Sequence, residues 1–238
     1  RIGKAANALV VGGGFIGSEI AAGLTVNDLK VTMIFPEDYM LKRIFPEELA
    51  ATIQRDYERR GVNFLNGDVP ERIRKNGDGY ELKTREGEIV QGDILVVGIG
   101  ISPSDELAEK AGLERFDGVD VNQYLQTSQP NIYAAGDIAY FPYSALDECT
   151  RVEHWDNAIK QGKTAGINMA GGEKPYDYLP YFYSDLFDFG FEAIGDVNSS
   201  LDTFVDWKEK GEKGVAYYLS DEGKIRGVLM LGVWGVKK

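Results

Sequence analysis

The chain has 238 residues, with 38 acids against 26 lysines and arginines and a formal net charge of −12. That excess of acid repels nucleic acid and anionic lipid, so neither is a favoured partner, and a single cysteine, Cys149, excludes an internal disulfide or a paired-cysteine redox centre. No apolar run approaches the ~20 residues that cross a bilayer and no signal peptide is visible; that absence means little in a chain that starts at a glycine loop, and an intracellular setting, cytoplasmic or mitochondrial, is an expectation the sequence does not decide.

Residues 8–11, "ALVV", are apolar without alternation, as in a parallel strand covered on both faces. A loop over Gly12–Gly14 leads into an expected helix from Phe15 to Leu24, and "VTMIF", 31–35, reads as a second strand stopped by Pro36. Pro46-Glu47-Glu48 suits a helix first turn, with the helix running to Arg60 and Gly61 as its stop. "VNFL", 62–65, is the next strand; "YELKTREGEIV", 80–90, alternates around Glu86-Gly87 and reads as a hairpin; "DILVVGIG", 93–100, is another buried strand. This alternation predicts an α/β fold with a doubly wound parallel sheet over about 8–100. In 101–172, "NIYAAGDIAYF", 131–141, reads as strand then turn, and a helix over "HWDNAIKQGKTAGINMAGG" stops at Gly171-Gly172. From Lys174-Pro175 the chain is aromatic-rich, then turns to alternating strands, "KGVAYYL" and "IRGVLMLGVW".

Gly12, Gly14 and Gly17 fit G-x-G-x-x-G between a strand and a helix. Each glycine has a reason: Gly12 for the tight turn, Gly14 for approach of a pyrophosphate to the backbone, Gly17 for close helix–strand packing. The helix N-terminus then supplies N–H groups and a dipole to an anion. A glycine-rich turn without a ligand is the plain alternative. The acid expected on the ribose hydroxyls follows the second strand, where Phe35 stands first and Glu37 two residues later; Glu37 is the candidate, with a solvent-facing acid the alternative. An acid there disfavours a 2′-phosphate, an inference softened by Lys42 and Arg43. Glu19, read as lying in the first helix turn, is explained as well by simple capping as by function.

"VVGGGFIGSEIA", "IYAAGDIAYF", "VEHWDNAIKQGKTAGINMAGG" and "PYFYSDLFDFGFEAIGD" resemble, in this order, the FAD-dependent pyridine nucleotide oxidoreductases of the ferredoxin and rubredoxin reductase type, and most of all apoptosis-inducing factor and its relatives. The resemblance implies a Rossmann-type NAD domain over 1–100, the returning half of an FAD domain over 101–172, and a C-terminal α+β domain over 173–238. It also implies an FAD-binding glycine loop ahead of the NAD loop; none is present, so the chain reads as a truncated fragment, and "GVWGVKK" stops where the family continues into a helix.

By the same resemblance, Phe15, Tyr183 and Glu192 line the nicotinamide pocket, Glu19 reaches the nicotinamide carboxamide, and Ile16, Lys42 and Gly100 join the NAD contacts. Plain core packing is the alternative for Tyr183 and Phe182. Asp137 after Gly136 is implied on the flavin ribityl chain, with a simple turn as the alternative; Glu153, His154 and Trp155 are implied beside the flavin ring. His154 is the one histidine, so no histidine metal cluster is expected, and Cys149 is expected to be inert. No catalytic acid or base is named.

The activity implied is transfer of a hydride from NADH to FAD, then of electrons to an acceptor: an iron–sulfur protein, a quinone or oxygen. The acidic balance weakens an acidic iron–sulfur partner. A redox-sensing protein with slow turnover acting through partners, or a bare NAD-binding module, are the rival readings, and a homodimer is compatible with each.

Overall fold

The computed structural model describes residues 2–233. The chain divides into two compact units: one holds the residues up to Gly100 together with Tyr183–Glu192 and those from Val197 onward, the other Ile101–Phe182 and Ala193–Asp196.

After a short 3-10 helix (Ile2–Lys4), the first unit runs through β1 (Asn7–Val11), α1 (Phe15–Val26), β2 (Lys30–Phe35), α2 (Glu47–Arg59) and β3 (Asn63–Asn66). After β4 (Pro70–Asn76), β5 (Gly79–Thr84) and β6 (Ile89–Gly92), β7 (Ile94–Val97) completes a sheet of order β3-β2-β1-β7. Its three pairings are all parallel, with Leu9 of β1 between Thr32 and Leu95. Ala8–Val11 are buried, as an unalternating central strand requires. In α2 the acids Glu47 and Glu48 occupy the first turn, where the dipole favours them, and Gly61, at φ +88°, follows the cap at Arg60. Leu49, Ile53 and Tyr57, one turn apart, are fully buried on one face; each such side chain contributes about 1.5–3 kcal/mol of burial. The expected hairpin forms as β5 and β6, turning through Gly87 at φ +99°. It belongs to a three-stranded antiparallel sheet whose first strand, β4, the pattern missed. "PERIRKN" is charged and mostly exposed, so no apolar alternation marks it.

The second unit contains α3 (Glu106–Lys110), β8 (Arg115–Phe116), β9 (Gly118–Asp120), β10 (Ala139–Tyr143), β11 (Glu148–Thr150) and α4 (Trp155–Met169). The strands lie in the order β11-β10-β9-β8, and Leu125, Ala139, Phe141, Ala165 and Tyr176 form the core beneath α4. One expectation is corrected. No strand leads into Gly136-Asp137; Tyr133 makes only an isolated bridge to Gln126, and the strand, β10, follows the turn. The reason is local: Thr127 N–H bonds Ile132 O (2.9 Å) and Ala134 N–H bonds Leu125 O (3.1 Å), so this segment folds back on itself instead of joining a ladder. Gly171, at φ +91°, and Gly172, whose N–H returns to Ile167 O, stop α4 as expected.

The C-terminal strands are β12 (Tyr181–Leu186), β13 (Phe189–Gly195), β14 (Asp202–Glu209), β15 (Lys213–Leu219) and β16 (Ile225–Leu231), ordered β12-β13-β16-β15-β14. Strict alternation in β15 and β16 buries Ala216, Tyr218, Leu229 and Leu231. Trp234, assigned to the last strand on its sequence, lies outside the described residues.

Candidate functional site

Of the four glycines from Gly12 to Gly17, three are hemmed in and one is open. Gly12 takes φ +117°, and a Cβ there would lie 2.2 Å from Gly98 O. A Cβ on Gly17 would lie 2.0 Å from Gly12 O, and one on Gly13 2.7 Å from the Phe35 ring. Gly14 faces space with nothing within 4 Å of its would-be Cβ. It is also the N-cap of α1 and brings no side-chain cap, so the dipole end of that helix is presented through backbone alone. A tight turn, a close helix and an open glycine are what an anion cradle needs. Ile16, on α1, is 48% exposed, and Gly100, just past β7, takes φ +106°.

The end of β2 supplies the acid. Phe35 is buried under Gly13 and is closed to polar ligands. Glu37, its side chain 25% exposed, pairs with Arg43 Nε at 3.6 Å. Lys42 is hydrogen-bonded to Asp38; that bond holds the Asp38 carboxyl below the usual carboxylate value and raises the Lys42 ammonium in turn. Both cations of this loop therefore already face a carboxylate.

Phe15 opens α1 and stacks on Phe191 of β13, ring centroids 5.7 Å apart. Glu19 is not in the first turn, which contains no acid; it sits one turn further and accepts a hydrogen bond from Ser184 Oγ of β12. The capping explanation is thereby corrected: at the fifth helical position its carboxylate lies beyond the orphan N–H groups. Tyr183, next to Ser184, is 41% exposed, and Glu192 is half-buried on β13. Every residue assigned to NAD thus falls in the first unit.

Every residue assigned to flavin falls in the second. Gly136, at φ +81°, donates its N–H to the buried Gln161 Oε1 at 2.7 Å and leaves Asp137 exposed. His154 is the N-cap of α4, its Nδ1 accepting from Asp156 N–H, and its ring lies 6.4 Å from that of Phe182. Trp155, the first residue of α4, is 68% exposed. Arg151 was missed. It donates to Asp137 O at 2.8 Å and pairs with Glu153 and Asp117, tying the Gly-Asp turn to the segment before α4. A lone arginine in a loop carries no periodic signal that would have singled it out. Ser184 was missed for the same reason, since its partner Glu19 lies 165 residues away.

Among the described residues no group of three or more metal-binding side chains is assembled, and no helix is long and apolar enough to cross a membrane.

Residues 2–162 match the pyridine nucleotide-disulphide oxidoreductase family, and residues 165–211 match the C-terminal domain described as "apoptosis-inducing factor, mitochondrion-associated". The monodehydroascorbate reductase of Pisum sativum is 36% identical over 237 residues, covering 96% of this chain and 55% of the pea protein. The ferredoxin reductase for the CYP199A2 system from Rhodopseudomonas palustris superposes with a TM-score of 0.88 at 29% identity, over 98% of this chain and 57% of that one. The covalent putidaredoxin reductase–putidaredoxin complex contains a chain that matches with a TM-score of 0.86 at 27% identity, over 95% of this chain and 55% of that one. The chain spans about half the length of the curated relatives it matches.

Proposed function

Because this chain belongs to the pyridine nucleotide-disulphide oxidoreductase family, we propose that it forms the nucleotide-handling part of an FAD-dependent NADH:acceptor oxidoreductase. The observation that carries this reading is the open Gly14 at the uncapped start of α1, with Gly12 and Gly17 packed too tightly for any side chain.

When bound, the dinucleotide carries a hydride on its nicotinamide and the flavin accepts it. The protein's share is placement. Backbone N–H groups at the start of α1 face the diphosphate. Glu37 accepts hydrogen bonds from the adenosine ribose and repels a 2′-phosphate; with Lys42 and Arg43 already engaged by Asp38 and Glu37, NADH is favoured over NADPH. Glu19, held by Ser184, is the group for the carboxamide end, and Tyr183 and Phe15 keep water from it. In the second unit, Asp137 is the group for the flavin polyol, with Glu153, His154 and Trp155 along the ring; Arg151 ties the Asp137 turn to Glu153. The acceptor is an iron–sulfur protein, in line with the reductases above, or the monodehydroascorbate that names the pea relative.

Calorimetric titration of the chain with NADH and NADPH tests the nucleotide half. One site for NADH, with weaker NADPH binding that Glu37→Gln brings closer to NADH, is the expected result. No heat of binding at about 1 mM NADH, where affinity falls to the level of ~4 kcal/mol, overturns it. The match at 165–211 favours a second reading, a redox sensor that acts through partners. Slow steady-state turnover of the full-length protein with every acceptor class supports the sensor, and fast reduction of an iron–sulfur protein supports the reductase.

A further inference from the structure

The loop that carries Glu37 and Lys42, residues 36–46, has little regular structure of its own. Besides the Lys42–Asp38 and Arg43–Glu37 pairs, its internal backbone bonds are Ile44 and Phe45 N–H to Leu41 O, both 3.0 Å, around Leu41 itself at φ +61°, an unfavourable region for a branched side chain. Such a conformation persists only where surrounding contacts over-determine it. The first half of the loop is held from nearby, by Gly67 N–H on Glu37 O at 2.9 Å, Asn66 Nδ2 on Asp38 O at 2.6 Å and Gln54 Oε1 accepting from Met40 N–H at 3.3 Å, whereas the contacts on its second half come from more than 150 residues further along the chain. Three successive loop carbonyls are taken: Lys42 O by Ser199 Oγ at 2.5 Å, Arg43 O by Ser199 N–H at 3.1 Å, and Ile44 O by the hydroxyl of the fully buried Tyr218 at 2.6 Å. Phe45, at the end of the loop, packs edge-on against Phe191, centroids 5.0 Å apart, and Phe191 also stacks on Phe15 of α1. Leu41 N–H closes the circuit on Gly13 O at 2.7 Å.

We propose that Ser199 and Tyr218 are positioning residues of the dinucleotide site: by gripping the carbonyls of 42–44 they hold Arg43, and through its ion pair Glu37, in the register that receives the adenosine ribose. The C-terminal strands are then part of the coenzyme site rather than only a cover over it. This inference rests on the dinucleotide reading above. Both residues act through the backbone of 42–44, so the effect expected is confined to the adenosine half. Without the grip, Leu41 relaxes out of its left-handed conformation and the carboxylate loses its fixed place.

The test compares two half-ligands, ADP-ribose and nicotinamide mononucleotide, titrated into the full chain and into Tyr218→Phe, Ser199→Ala and Ser199→Thr, with thermal melts alongside. Each lost hydrogen bond weakens ADP-ribose about three- to tenfold, leaves nicotinamide mononucleotide unchanged, and the threonine variant, which keeps the hydroxyl, restores ADP-ribose binding. If Tyr218→Phe fails to fold, the serine pair carries the same comparison. Unchanged ADP-ribose affinity in the folded variants overturns the proposal, as does an equal loss for both half-ligands, which marks general loosening. A wild-type chain that binds no ADP-ribose overturns the dinucleotide reading itself, and this proposal with it.

Discussion

Gly12 and Gly14 stand two residues apart and make opposite predictions. At Gly12 a side chain meets the Gly98 carbonyl and the backbone sits at φ +117°. Gly12→Ala is therefore expected to destabilise the first unit by about 2 kcal/mol or more, read as a fall in denaturation midpoint. Gly14 has an ordinary φ of −83° and open space around it. Gly14→Ala is expected to fold with a stability within about 1 kcal/mol of the parent, yet to lose NADH affinity at least about tenfold, because a methyl group occupies the room left for a diphosphate. Equal affinity of this variant and its parent in calorimetry would refute the cradle. G-x-G-x-x-G was visible in the sequence because glycine at those intervals is a backbone demand, not a packing one. That Gly12 needs Gly98 beside it was not visible, since the two meet only when β7 lies against β1.

Among the elements, the β12–β13 hairpin holds the most instructive joint. At its tip Asp188 pairs with Arg60 Nη2 at 2.6 Å, while Phe187, at φ +57°, has the same guanidinium 4.4 Å over its ring and the Tyr57 ring 4.7 Å away. Arg60 is also bonded to Asp56 at 2.8 Å, one turn back on α2. One side chain thus fastens the end of α2 to the turn after the strand bearing Tyr183 and Ser184. Arg60→Ala is expected to cost about 1 kcal/mol, a half-exposed ion pair with a cation–π contact being worth no more, and to speed amide exchange in 183–192 more than in β1 or β2. Uniform exchange across all strands would argue against a local fastening. α1, α2 and the core strands followed from periodicity and end signals. β4 and β14 did not, because their exposed, charged or mixed side chains show no alternation.

For the molecule as a whole, buried tyrosines set the alkaline limit. Burial pushes the Tyr143 hydroxyl up to about 12 and also raises Tyr57, Tyr176, Tyr178 and Tyr218. A folded value above the unfolded one, near 10, means that the protonated form is favoured in the native state. The stabilising contribution is complete below pH ~10 and is lost as pH rises through the folded values. Unfolding is expected to become steeply favourable above pH ~10, with the tyrosinate absorbance of these residues appearing together with loss of circular dichroism. Ionisation of all thirteen tyrosines with the native spectrum intact would contradict it.

Chain order alone was enough for the strand–loop–helix unit, its glycines, the carboxylate after Pro36 and the stops of α2 and α4, because each is set by residues within a few positions of one another. The resemblance to a flavoprotein family likewise rested on short contiguous motifs, and the match over 2–162 agrees with it. Packing settled the remainder: that Gly136 follows a folded-back loop instead of a strand, that Glu19 answers to Ser184, that Arg151 ties the Asp137 turn to Glu153, and that Ser199 and Tyr218 grip the carbonyls of 42–44. Apart from the folded-back loop and the Arg151–Glu153 pair, whose bonds are local, these are pairings of polar atoms from 14 to 174 residues apart, each made only once. A contact without a repeat leaves no period in the sequence, and its energy exists only after the apolar faces have brought its partners together.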